Sequence, residues 1–114
     1  MIIDDDPQLL EELKSSLTDY YEVFTLQGSK EVLETANKLK PDIILIDVKM
    51  PGESGLQLAC KIKNFSELID TKIIVMSGNS SSYKYQVLSE LCGFRGFLPK
   101  PFSFKELQSK LEEA

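Results

Sequence analysis

Asp4-Asp5-Asp6 follows a short apolar run near the start of the chain, Asp47 ends a second run, Ser77 ends a third and Lys100 follows a fourth. If folding gathers these residues, their types point to one chemistry. Clustered carboxylates repel one another, and left alone at least one would take a raised pKa. A hard divalent cation relieves that repulsion, and Mg²⁺ prefers one or two carboxylates together with waters and phosphate oxygens. A lysine beside such a site calls for a second anion, and a phosphoryl group satisfies both demands. Its transfer needs positioning and charge neutralisation more than covalent help. The chain has no histidine. That excludes Ser–His–Asp and Cys–His catalysis, His-ligated zinc and any role as a phosphohistidine donor. Both cysteines, Cys60 and Cys92, fall in segments that read as helical, so the available nucleophile is a carboxylate.

Each residue alone also has an ordinary role. An Asp triplet opening a helix is favoured by the helix dipole, a strand-terminal Asp commonly serves a turn or cap, Ser-Gly is a common turn, and a lysine before proline is usually solvated. The set becomes informative through the elements that must position it. Met1-Ile2-Ile3 is a brief apolar run, and Asp6-Pro7 reads as N-cap and first helical residue. Leu9, Leu10, Leu13 and Leu17 recur at helical spacing. Residues 21–26 are rich in strand formers, and Gly28-Ser29 reads as turn and cap before a stripe of Val32, Ala36 and Leu39. Lys40-Pro41 stops that helix.

Ile43-Ile44-Leu45-Ile46 is an unbroken aliphatic run ending in Asp47, the pattern of a parallel strand buried on both faces. Residues 51–55 read as a loop and 56–64 as a helix. Ile73-Ile74-Val75-Met76 is a second buried strand ending in Ser77, residues 78–82 a polar loop, and 83–92 a helix stopped by Gly93. Gly96-Phe97-Leu98 is a short strand ending at Pro99-Lys100-Pro101, where proline fits an edge. Ser103 caps a last helix bearing Phe104, Leu107 and Leu111. The expected architecture is a doubly wound (βα)5 three-layer α/β sandwich around a five-stranded parallel sheet of order 2-1-3-4-5. The first and third strands then flank the topological switch point, where such folds place ligands.

The 114 residues suit one domain, spanning 1–114, with a core of its own. The net charge of −5 disfavours nucleic acid and anionic membranes as direct partners and favours a hard cation or a basic partner face. No apolar run approaches the roughly 20 residues of a membrane span, and the start turns acidic at Asp4, unlike a signal peptide. Two thiols with no CxxC point to a reduced, cytoplasmic setting rather than a disulfide framework.

Asp4-Asp5, Asp47, Met50-Pro51-Gly52, Ser77-Gly78 and Lys100-Pro101-Phe102, in that order, resemble the motifs of response-regulator receiver domains of two-component signalling, the CheY-like superfamily, over essentially the whole chain. The resemblance implies that Asp47 is the phosphoacceptor. Asp5 and Asp47 would bind Mg²⁺ (or Mn²⁺) directly, with Asp4 acting mainly through water and the Lys49 backbone carbonyl as a further ligand. Lys100 would contact the phosphoryl oxygens, Ser77 would hydrogen-bond them, and Phe97 would be the switch aromatic. The Lys100-Pro101 bond is expected to be cis. The implied function is a signalling switch that takes a phosphoryl group from a partner phosphohistidine, on a sensor histidine kinase or a histidine phosphotransfer protein. It catalyses its own phosphotransfer and slow autodephosphorylation, and is not a metabolic enzyme. Lys49 and Asn79 would flank the attacking water, and neither is a base, so a long-lived acyl phosphate is expected. The implied output is a downstream effector domain or target meeting the fourth helix, fifth strand and last helix, on a face bearing Tyr83, Phe94 and Arg95; a phosphorylation-dependent homodimer is compatible with it.

Some positions depart from the family. Only three apolar residues precede the acidic pair, where about five are usual, which is short for a central strand and points to a trimmed or unusual start. Phe97 lacks a hydroxyl, and Phe94 is bulkier than usual and is expected to be partly exposed. Two other readings are weighed. A haloacid-dehalogenase-like phosphatase would use Asp4 as nucleophile and Asp6 as acid, but Pro7 and the chain length fit it poorly. A pseudo-receiver would keep the fold as a binding module without phosphorylation, and the full residue set argues against it.

Overall fold

The computed structural model describes residues 1–78 and 82–114, with the backbone alone for 82, 83 and 85. Its centre is built from the two aliphatic runs. Strand β3 covers Ile43–Asp47 and β4 covers Lys72–Gly78, paired in parallel with Ile44 opposite Ile73 and Asp47 opposite Met76. Successive side chains of a strand point to opposite faces, so these runs feed two cores. Ile44, Ile46, Ile73 and Val75 face one apolar cluster, while Leu45, Ile74 and Met76 face the other. Strand β1 (Ile2–Asp4) lies beside β3, β2 (Thr25–Gln27) forms one edge, and β5 (Gly96–Lys100) forms the other. The order is 2-1-3-4-5, as expected, with every pairing parallel.

Helices α1 (Pro7–Leu17) and α5 (Phe104–Glu113) cover one face through Leu10, Leu13, Leu17, Leu107 and Leu111. Helices α2 (Val32–Leu39) and α3 (Gly55–Lys63) cover the other through Val32, Ala36, Leu58 and Ile62. Helix α4 (Ser82–Leu91) packs on β4 and β5. The local signals hold at most helix ends. The Asp6 side chain accepts from the Gln8 and Leu9 amides at 3.0 and 3.4 Å, with Pro7 in the first turn. Ser103 and Glu106 form a reciprocal capping box. Lys40 adopts φ 47° at the end of α2, just before Pro41.

Four local expectations are corrected. β2 spans Thr25–Gln27, not residues 21–26, because the three-residue β1 offers a ladder only to Thr25, Leu26 and Gln27. Ser29 does not cap α2: Gly28 turns the chain at φ 97°, the Ser29 hydroxyl donates to the Pro51 carbonyl at 3.4 Å, and Glu31 at φ 66° precedes the helix. Phe104, a turn before the buried Leu107, is 39% exposed and meets the Tyr20 ring at 6.3 Å. Phe94 is buried, because the turn closing α4, with its amide donating to Ser89 O at 2.9 Å, folds the ring into the cluster that holds Phe97.

Candidate functional site

Parallel strands joined by helices leave the carboxyl ends of β1, β3, β4 and β5 along one edge of the sheet. Asp4 is the last residue of β1, Asp47 of β3, and Lys100 of β5, while Ser77 is the penultimate residue of β4. Asp4, Asp5 and Asp47 each present a carboxylate oxygen, and these lie within 4.8 Å of one another. Asp4 is fully buried, Asp47 is nearly so and Asp5 is exposed.

Asp4 is held at both oxygens. One accepts from the Asp6 amide at 3.0 Å, and the other accepts from the Lys100 ammonium at 2.6 Å. Lys100 also reaches Asp47, at 3.3 Å. The lysine thus bridges two strand ends that flank the switch point, and the Lys100–Pro101 peptide is cis, as the resemblance leads one to expect.

The electrostatics follow from burial. Asp47 is pushed up to about 6, first by burial and next by the charge of Asp4, with Lys100 opposing the rise. Burial alone would lower the Lys100 ammonium, but its hydrogen bond to Asp4 and the charges of Asp47 and Asp4 outweigh it, and its pKa is raised. Three hard oxygen donors in one group, one of them against its own titration, are a donor set that fits a small divalent cation. The cleft can therefore concentrate positive charge at a carboxylate that stands ready to ionise.

The other expected positions are distributed as follows. Lys49 is exposed in the loop after β3, next to Val48, whose amide donates to Met76 O at 2.9 Å. Ser77 is buried, and its hydroxyl donates to the Gly78 carbonyl at 3.4 Å. Phe97 is buried in the core beneath α4 rather than at the surface. Asn79 and the Tyr83 side chain lie outside the described residues. Of the face assigned to output, Arg95 is exposed while Phe94 is turned inward.

One site residue escapes the sequence reading. Gly55, read there as loop, is the first residue of α3, and a Cβ placed on it would lie 1.7 Å from the Asp47 carbonyl oxygen. No side chain fits, so the helix start rests on the backbone of the residue that ends β3. Ser54 accepts from the Leu56 amide at 3.1 Å and fixes that start. The available signal was a glycine at the head of a helical stripe, where its poor propensity needs a tertiary reason.

The chain is 32% identical over 113 residues to the sensory transduction protein BceR of Halalkalibacterium halodurans, covering 98% of this chain and 47% of that one. It is 30% identical to the transcriptional regulatory protein KdpE of Mycobacterium tuberculosis, covering 100% of this chain and 49% of that one. It thus spans about half the length of the curated relatives it matches. Among solved structures, the chemotaxis response regulator CheY4 of Vibrio cholerae superposes with a TM-score of 0.86 at 28% identity, covering 97% of this chain and 92% of that one. The family model for the response regulator receiver domain matches residues 1–112. With that match over nearly the whole chain, and relatives at 30% identity or more along it, the chain belongs to the response regulator receiver domain family.

Proposed function

We propose that Asp47 accepts a phosphoryl group from a phosphohistidine on a sensor histidine kinase or histidine phosphotransfer protein. The observation that carries this is the meeting of Asp4, Asp5 and Asp47 within 4.8 Å under the Lys100 ammonium. An Asp47 carboxylate oxygen attacks phosphorus, the P–N bond to the donor breaks, and the electron pair leaves with the imidazole. Lys100 moves part of its charge onto the incoming oxygens, and Ser77 donates to them. Receiver domains bind Mg²⁺ at an acidic pocket, and here Asp5, Asp47 and the Lys49 carbonyl would hold Mg²⁺ (or Mn²⁺) directly. Asp4 would act through water, since both its oxygens already have protein partners. Bound there, the ion would neutralise the carboxylates and the transferred phosphoryl oxygens.

The same contacts weigh against Asp4 as the nucleophile of a haloacid-dehalogenase-like phosphatase, because it is fully buried and engaged at both oxygens. Against a pseudo-receiver stands the complete set of Asp4, Asp5, Asp47, Ser77 and Lys100.

Output runs through the face of α4, β5 and α5, toward an effector domain or separate target, with Phe97 coupling it to Ser77. The burial of Phe97 supports a switch made by ring packing within the core. A phosphorylation-dependent homodimer through that face and a cytoplasmic location complete the reading, and among the described residues no helix is long and apolar enough to cross a membrane. Acetyl phosphate or beryllofluoride with Mg²⁺ should modify the wild type and leave Asp47→Asn unmodified; equal modification of the Asn variant rejects Asp47. Lys100→Ala should retain Mg²⁺ binding and lose most of the response to either phosphoryl mimic.

A further inference from the structure

The chain's two cysteines lie far from the acidic cleft. Helices of this fold run back along the strands, so the ends of α3 and α4 sit at the edge of the sheet opposite Asp47. Cys60 is in the last turn of α3, and Cys92 directly follows α4, its amide donating to Leu88 O at 2.9 Å. These two stretches touch. The Lys63 ammonium donates to the Gly93 carbonyl at 3.1 Å, and a Cβ on Gly93 would lie 3.2 Å from Lys63 Cε. Cys60 precedes Lys63 by three positions, on the same helix face, and Cys92 precedes Gly93. Both cysteines pack at the rim of the same apolar cluster, both are free and both are partly exposed. In keeping with that proximity, the neighbouring Cys92 helps to raise the Cys60 thiol.

We propose that Cys60 and Cys92 are a redox pair, converted by a disulfide oxidant such as oxidised glutathione into an intrachain disulfide that ties the end of α3 to the end of α4. One cysteine thiolate attacks a sulfur of oxidised glutathione and displaces a glutathione thiolate. The second attacks the resulting mixed disulfide, forms the Sγ–Sγ bond and displaces the second glutathione. Two electrons pass from the cysteines to the oxidant, and the two thiol protons end on the two glutathione thiols. Burial and the neighbouring sulfur push the Cys60 thiol up, and helix C-termini disfavour a thiolate. Since the thiolate is the attacking species, the pair responds slowly, to sustained oxidation rather than to a brief pulse. The device goes beyond the phosphotransfer reading and does not depend on it.

The purified chain is incubated with oxidised glutathione, then assayed by free-thiol titration and by peptide mapping without reduction. The expected result is loss of both thiols, one cross-linked peptide pair joining Cys60 to Cys92 within a monomer, reversal by dithiothreitol, and a Tm higher by about 10 °C. Cys60→Ser and Cys92→Ser should each stop at the mixed glutathione disulfide. Survival of both thiols, mixed disulfides alone on the wild type, or bonds only between chains would overturn the pair.

Discussion

Two junctions at the same edge of the sheet carry the chain from a strand into a helix, and they are built to different tolerances. After β3, the Val48 amide is bonded to Met76 O, the Gly55 amide to Val48 O at 2.9 Å, and Ser54 caps α3. The helix start leaves no room for a Cβ against the Asp47 carbonyl. After β2, Gly28 turns at φ 97° with nothing within 4 Å of an added Cβ, and α2 begins behind a left-handed Glu31 with no side-chain cap. A left-handed non-glycine residue costs about 1–2 kcal/mol. The fold tolerates that where the loop only closes a connection. It does not tolerate looseness where helix backbone abuts the strand that ends in Asp47, because the position of that carboxylate follows from the contact.

Substitutions at the two junctions sharpen or break this contrast. The largest effect is expected at Gly55→Ala, where a methyl would collide with backbone rather than with a yielding side chain. Urea denaturation should show a loss of about 3 kcal/mol or more. A loss below about 1 kcal/mol would mean that α3 slides freely and that the junction is not tight.

Next comes Asp47→Asn. A carboxyl raised in the folded state to about 6, from 3.8, keeps its proton when the unfolded chain has lost it. The metal-free wild type should therefore lose stability as pH rises from about 4 to about 6, and stay at the lower level above that. Asp47→Asn should be more stable by about 2 kcal/mol at pH 7 in low salt, with the advantage gone near pH 3. Parallel stability curves for the two proteins across this range would show that Asp47 is not held against its charge.

Ser54→Ala removes the cap of α3 and should cost about 1 kcal/mol, and it should also weaken the beryllofluoride response, since α3 starts against Asp47. Smallest is Glu31→Gly, which relieves the left-handed residue before α2. It should gain about 0.5–1 kcal/mol, the relief of φ being partly offset by a more flexible unfolded chain, and should leave the beryllofluoride response unchanged. A matching change in response from both variants would erase the distinction between the junctions.

The sequence by itself determined what is local. Unbroken aliphatic runs marked β3 and β4, helical stripes marked the faces of α1, α2 and α5, and Asp6-Pro7, Lys40-Pro41 and Ser103 marked helix ends. The ordered motifs at Asp4-Asp5, Asp47, Ser77 and Lys100 made the site legible before its geometry was known. These signals survive because period and capping depend on neighbours a turn or less away. Tertiary structure alone decided the rest. It shortened β2 to the three residues that β1 can pair, turned Phe94 inward, and gave Lys100 to Asp4 at 2.6 Å ahead of Asp47 at 3.3 Å. It also placed Gly55 against the Asp47 backbone and the end of α3, at Lys63, against Gly93. Each of those facts is a contact between elements distant in the chain. Its distance is set by how whole layers pack, and no local pattern of residues encodes that.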